Sequence, residues 1–192
     1  AHRHDPRIAM LDKPHVRPLM DIIKLIRARG LRVPNVDPLD GGIDAKAMFL
    51  LETPGPKSVN SDFVSRDNPD PSARNMKCEL GAAGFPRQDT VLWNVVPQCL
   101  SDKDANRNAS ARDIRMALPD TQAFIDALVR LRVIVLCGRS AQKVATWITA
   151  PTNIEILRTF HPGAQSYNRE RCRDDIRRTF AQARAIASEG ET

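Results

Sequence analysis

The chain has 192 residues, 42% of them hydrophobic and 27% charged, with a formal net charge of +6 and a sequence pI near 9.5. That length and apolar content suffice for one well-buried core, so residues 1–192 read as a single domain. No run approaches ~18 uninterrupted apolar residues, and the amino end "AHRHDPRIAM" carries charge where a signal peptide needs an apolar segment. These features argue against membrane-spanning and secreted classes and for a cytoplasmic, monomeric protein trimmed at its start. The cysteines Cys78, Cys99, Cys137 and Cys172 stand singly, without a C-x-x-C pair, and read as reduced thiols.

Leu19, Ile22, Ile23 and Ile26 keep helical spacing up to Gly30, which suits a helix end. "VPNVDPLDGGID" reads as a loop, and "AMFLLE" (47–52) as a strand buried on both faces. After a second loop, "SRDNPDPS", Met76, Leu80 and Ala83 predict a helix ending at Gly84, and "VLWNVV" (91–96) a second strand. A helix with Phe124, Leu128 and Leu131 follows Pro119 and leads to the strand "VIVLC" (133–137). Val144, Trp147 and Ile148 predict a helix capped by Ser140. "IEILRTF" (154–160) is the fourth buried strand, and a last helix from about Asn168 buries Ile176, Phe180 and Ala183 before "SEGET" frays.

Strands alternating with helices need crossover connections, which predicts an α/β fold: a three-layer αβα sandwich with a central four-stranded parallel sheet. No internal repeat is present. In such folds ligands bind beyond the carboxyl ends of the strands. Those ends deliver Glu52, Asn94 with the exit at Pro97, the "GRSAQK" turn, and His161. A carboxylate, an amide, a backbone-exposing glycine and an imidazole therefore converge from positions more than 100 residues apart. Such a set supplies a water-activating base, a shape-reading amide, a phosphate contact and a donor to a developing anion. Seven arginines against three acids between Arg158 and Arg184 make the segment after His161 basic, either a solvated helix face or a phosphate-attracting one.

In order along the chain, "LLETPGP", "DFVSRDN", "VLWNVVP", "VLCGRSAQK" and "FHPGAQS" resemble the motifs of the uracil-DNA glycosylase superfamily, over roughly residues 47–180. The first is closest to the Gly-Glu-Ala-Pro-Gly form of the iron–sulfur (family-four) branch. The third is similar to the Asn-bearing strand. The last two are similar to the Gly-Ser-Tyr-Ala-Gln-Lys and His-Pro-Ser-Pro-Leu-Ser stretches of the classical branch. The resemblance implies a monofunctional, metal-free glycosylase without cofactor, which flips deoxyuridine out of DNA and hydrolyses its N-glycosidic bond, releasing free uracil. No cluster is expected, because the first cysteine is Cys78 and the iron–sulfur branch needs an early close pair.

The resemblance also assigns roles. His161 donates to the uracil O2 as the base leaves, or else simply stabilises its turn. Glu52 orients the water; the classical branch has an Asp one place later, at Thr53, so the acid could act from a shifted position. Asn94 reads the O4 and N3–H edge, where its alternative is to satisfy strand backbone. Thr53, Pro54 and Gly55 complete the base pocket, and Gly55 stands where the classical branch has a Tyr that excludes the thymine methyl. Phe63 either stacks on the flipped base or is an ordinary core residue. Lys57, Ser58, Gly138, Arg139, Ser140, Ser166 and Arg169 are candidate DNA contacts, and Gln165 or Tyr167 would fill the gap left by the flipped nucleotide. Rival readings are a glycosylase for hypoxanthine, xanthine or mismatched thymine, and a catalytically weak DNA-damage binding module. A nucleotide-binding α/β protein is disfavoured, because neither G-x-G-x-x-G nor a P-loop is present.

Overall fold

Four apolar runs, each too short for a core helix and bounded by turn residues, form the sheet around which the chain is organised. The computed structural model describes residues 5–100 and 107–191. In chain order the strands are β1 (Asn35–Val36), β2 (Ala47–Leu51), β3 (Phe63–Val64), β4 (Thr90–Asn94), β5 (Val133–Cys137) and β6 (Glu155–Thr159). The helices are α1 (Arg17–Ala28), α2 (Pro56–Ser61), α3 (Pro71–Ala82), α4 (Ala111–Ala127), α5 (Arg139–Gln142), α6 (Ala164–Tyr167) and α7 (Glu170–Ala187). The main sheet is parallel in the order β4-β2-β5-β6. Helices α1 and α4 pack together on one face, while α3 and α7 pack together on the other, which gives the expected three layers.

Aromatic contacts join the layers. The Phe49 ring of β2 lies 4.8 Å from Phe180 of α7 and 5.5 Å from Phe85, while Trp93 of β4 stacks on Phe124 of α4 at 4.6 Å. The helix ends at Gly30 and Gly84 are as expected: both glycines take positive φ, 83° and 76°, where a Cβ is unfavourable.

Several expectations are corrected. β6 is an edge strand with Glu155 and Arg158 exposed, so it is not buried on both faces. The helix expected after Pro119 begins at Ser110, whose hydroxyl and the Asp113 carboxylate form a capping box, and Pro119 sits inside it. Ser140 does not cap the following helix; Gly138 does, and regular α-helix ends at Gln142. The loop 33–44 contains β1, which pairs in parallel with β3 outside the main sheet. Beyond α7 the chain does not fray through Glu191, which pairs with Lys46, while the Ser188 hydroxyl bonds to the Arg184 carbonyl at 2.9 Å. Ala1–His4 of the charged amino end and Thr192 of the expected frayed tail lie outside the described residues.

The two Pro- and Asp-rich loops hold a buried ion cluster. Arg87 reaches Asp40 at 2.8 Å, Asp67 at 2.8 Å and Asp37 at 3.1 Å; Arg66 reaches Asp40 at 3.2 Å and also bonds the Thr90 hydroxyl. Arg7 adds a contact to Asp37 at 3.1 Å. Burial pushes the Asp40 carboxyl up to about 7 against the pull of both arginines, and one of its oxygens has no partner among the described residues. Because the folded value lies above the ordinary one, this group's contribution to stability is full at acid pH and is lost as pH rises through about 7. Removing a buried counter-charge typically costs about 3–5 kcal/mol, so Arg66→Met should lower the thermal midpoint clearly, and more at pH 8 than at pH 5. Calorimetry at both pH values checks this, and equal losses would refute the role given to Asp40.

Candidate active site

The carboxyl ends of the strands are level. Leu51 pairs with Asn94, Leu50 with Leu136, and Cys137 with Thr159, so the residues that leave the sheet meet at one edge. Beyond β2 the run Glu52-Thr53-Pro54-Gly55 turns into α2, whose first helical residue is Pro56. A cavity of about 300 Å³ opens there, with walls from Pro54, Gly55, Val64, Met76, Asn94 and His161, and with Thr53, Lys57 and Ser58 at its rim. On the other side of His161 lies a larger cleft that includes Glu52, Gly138, Arg139, Ser140, Gln165, Ser166 and Arg169. His161 lines both, and a third depression holding Glu52, Gly55 and Gln165.

His161 is held by backbone. The Gly163 N–H donates to its Nδ1 at 2.9 Å, so the neutral ring carries its proton on Nε2, the nitrogen free to donate. Burial lowers the pKa of the ring, and the charges of Glu52 and Asp70 oppose that shift without reversing it. Two glycines make room for the side chain. A Cβ on Gly138, at φ +90°, would lie 3.0 Å from the His161 Cβ, and one on Gly163 would lie 2.8 Å from its Nδ1. Asn75 of α3 completes the support by donating to the Pro162 carbonyl at 2.7 Å.

Glu52 has a donor on each oxygen: the Ala109 N–H on Oε1 at 2.8 Å and the Ser140 hydroxyl on Oε2 at 2.7 Å. Neither contact was legible in the sequence, since one comes from backbone 57 residues away and the other from a serine suited to a cap. Asn94, last residue of β4 and 4% exposed, makes no side-chain hydrogen bond among the described residues, so its amide is available to a ligand in the cavity. The Thr53 hydroxyl donates to the Gln98 carbonyl at 2.9 Å and ties the loop to the segment after β4.

Two expected site residues lie elsewhere. Phe63 is fully buried beside β1, does not line the cavity, and has the Arg7 guanidinium 4.0 Å from its ring centre. Tyr167 donates its hydroxyl to Glu79 at 2.6 Å, and Arg177 grips the same carboxylate at 3.0 Å, so the ring secures α6 to α3. Gln165, exposed on α6, lines both the cleft and the third depression. Ser140, a candidate DNA contact, lines the cleft, and its hydroxyl proton is directed to Glu52. Val64, Ser65 and Met76, which form much of the cavity wall, carried no signal beyond ordinary core patterning.

Nitrogen NMR of the imidazole should show His161 neutral at pH 7 with its proton on Nε2, titrating below the ordinary value of about 6.5. A lowered folded value means stability present above pH ~6.5 and lost as pH falls through the folded-state midpoint. A proton on Nδ1, or a midpoint above the ordinary value, would contradict the hydrogen-bond assignment.

The sequence model of the Uracil DNA glycosylase superfamily matches residues 38–184. No curated protein sequence matches the chain. Among solved structures, the chain is similar to mimivirus uracil-DNA glycosylase at 17% identity and a TM-score of 0.45, over 84% of this chain and 73% of that one. It is also similar to the wild-type UNG of Nitratifractor salsuginis at 12% identity and a TM-score of 0.44, over 92% and 91%. With the superfamily model spanning residues 38–184, the chain belongs to the uracil DNA glycosylase superfamily.

Proposed function

We propose that the chain is a monofunctional uracil-DNA glycosylase, which takes a deoxyuridine out of DNA and hydrolyses its N-glycosidic bond to leave an abasic site. The observation that carries this reading is His161 at the wall between the cavity and the cleft, with its Nδ1 occupied by the Gly163 N–H. A neutral Nε2–H donor there suits a base that leaves as an anion. As the bond between C1′ and N1 lengthens, negative charge gathers on the uracil O2 and positive charge on the sugar. His161 would stabilise the first by donation without full proton transfer, and Glu52 the second while it orients the attacking water. The water oxygen bonds to C1′, its proton passes through Glu52 to solvent, and the electron pair of the broken bond departs with uracil.

Asn94 supports the choice of base. Its unengaged amide offers one donor and one acceptor, which match the O4 and N3–H of uracil, whereas cytosine presents the reverse pattern. The partner would be uracil-containing DNA, met by Lys57, Arg139 and Arg169 around the openings, and the enzyme would act as a cytoplasmic monomer with no metal or cofactor. No helix among the described residues is long and apolar enough to cross a membrane.

One observation favours a broader substrate range. Gly55 lines the cavity without a side chain, and a Cβ there would meet nothing within 4 Å, so no bulky group at this position narrows the cavity and a larger residue has room. Mismatched thymine is therefore a plausible second substrate, and Gly55→Tyr should suppress its excision more than that of uracil.

Oligonucleotides bearing single U, T, hypoxanthine or xanthine residues, followed by alkaline cleavage of abasic sites, test the reading. Excision of U is expected; none at stoichiometric enzyme would sink it, and tight binding of U-DNA without turnover would indicate a binding module. His161→Ala should lose roughly 10²–10³ in rate while fluorescence anisotropy shows little change in DNA affinity. Equal losses in rate and binding, or an unchanged rate, would count against the donor role. Asn94→Asp should erode discrimination between uracil and cytosine, and unchanged selectivity would refute the reading role.

A further inference from the structure

We infer that Ser140 is a positioning residue for Glu52, and that the turn Gly138–Ser140 sets the spacing of the carboxylate against His161. The inference rests on the reading of Glu52 as the water-orienting group. A serine just after Gly138-Arg139 would ordinarily cap a helix, but Gly138 holds the cap position and Ser140 is already inside α5. Its hydroxyl crosses from the end of β5 to the end of β2, where it meets Glu52 Oε2 at 2.7 Å, a partner 88 residues away. An ionised carboxylate only accepts, so the hydroxyl proton lies on that bond. The distance is that of a charge-assisted hydrogen bond.

The second anchor makes this more than a surface contact. Glu52 Oε1 accepts from the Ala109 N–H at 2.8 Å, so the two oxygens are held from opposite sides, by the segment before α4 and by α5. A glutamate side chain is rich in rotamers, and a carboxylate bound at one oxygen only can still swing. Bound at both, it presents its remaining lone pairs in fixed directions toward the depression it shares with His161. The same three-residue turn also backs the imidazole, because a Cβ on Gly138 would crowd the His161 Cβ at 3.0 Å and the φ of +90° there favours glycine. One short turn therefore touches both groups that act on the sugar and the base. A water misdirected by a freed carboxylate reacts slowly even when the DNA is bound normally.

Single-turnover excision of uracil and DNA affinity, measured for Ser140→Ala, Ser140→Thr and Glu52→Gln, test the inference. Ser140→Ala should slow the chemical step roughly 10- to 100-fold with less than about a 2-fold change in DNA affinity, and Ser140→Thr, which keeps the hydroxyl, should restore the rate to within about 3-fold. In the Glu52→Gln background, Ser140→Ala should add little further loss, because the two residues act as a unit. Full rate in Ser140→Ala, loss of affinity matching the loss of rate, or failure of Thr to rescue would overturn the inference. Full rate in Glu52→Gln would instead overturn the reading of Glu52. Apart from turnover, a crystal structure of Ser140→Ala should show the Glu52 carboxylate in more than one orientation; one unchanged orientation would overturn the inference even if the wild type excised no base.

Discussion

The level parallel register of β2 with both of its neighbours is the constraint on which the site depends. Because Leu51 lies opposite Asn94 and Leu50 opposite Leu136, every strand delivers its last residue to one plane. Glu52, Asn94, Gly138 and His161 are then neighbours by construction, although loops and helices separate them in sequence. A slip of one residue in β4 would turn Asn94 away from the cavity, since the side-chain period of a strand is two. The aromatic contacts of Phe49 with Phe180, and of Trp93 with Phe124, resist such slips by fixing β2 to α7 and β4 to α4.

On that frame the chemistry is set by backbone at short range. Gly163 assigns the tautomer of His161 and Gly138 allows its approach, so two glycines prepare the imidazole, with no charged partner in direct contact among the described residues. Burial keeps the ring neutral, which suits donation to an anion better than a cation already committed to Glu52 would. Glu52 in turn is held by donors, and Asn94 is left unengaged. Under the proposed reading, rigid support for His161 and Glu52 and free valence on Asn94 are what a selective hydrolytic site needs.

Much of this was legible in the sequence, because short β-branched runs and helix-ending glycines act locally. The strand that leads into Glu52, the strand that ends at Asn94, and the helix ends at Gly30 and Gly84 follow from such local rules. Most of the departures share a cause, a partner far away in sequence. Phe63 was a reasonable stacking residue until Arg7 and β1 covered it, and Tyr167 a reasonable wedge until the buried Glu79 claimed its hydroxyl. Ser140 looked like a cap and is engaged by a carboxylate on another strand. Pro119 suggested a helix start, but its missing N–H is tolerated inside a helix already secured by the Ser110–Asp113 box. β6 carries Ile156 and Leu157 like a buried strand, but Glu155 and Arg158 on either side of them fit the edge position that the sheet order gives it.

The crystal structure of the protein with a DNA duplex containing a non-hydrolysable deoxyuridine analogue tests the central claim most directly. The base should occupy the cavity beside Gly55, with its O2 within about 3 Å of His161 Nε2 and its O4 and N3–H edge on Asn94. A base left in the duplex, or held in the cavity with its O2 away from His161, would contradict it.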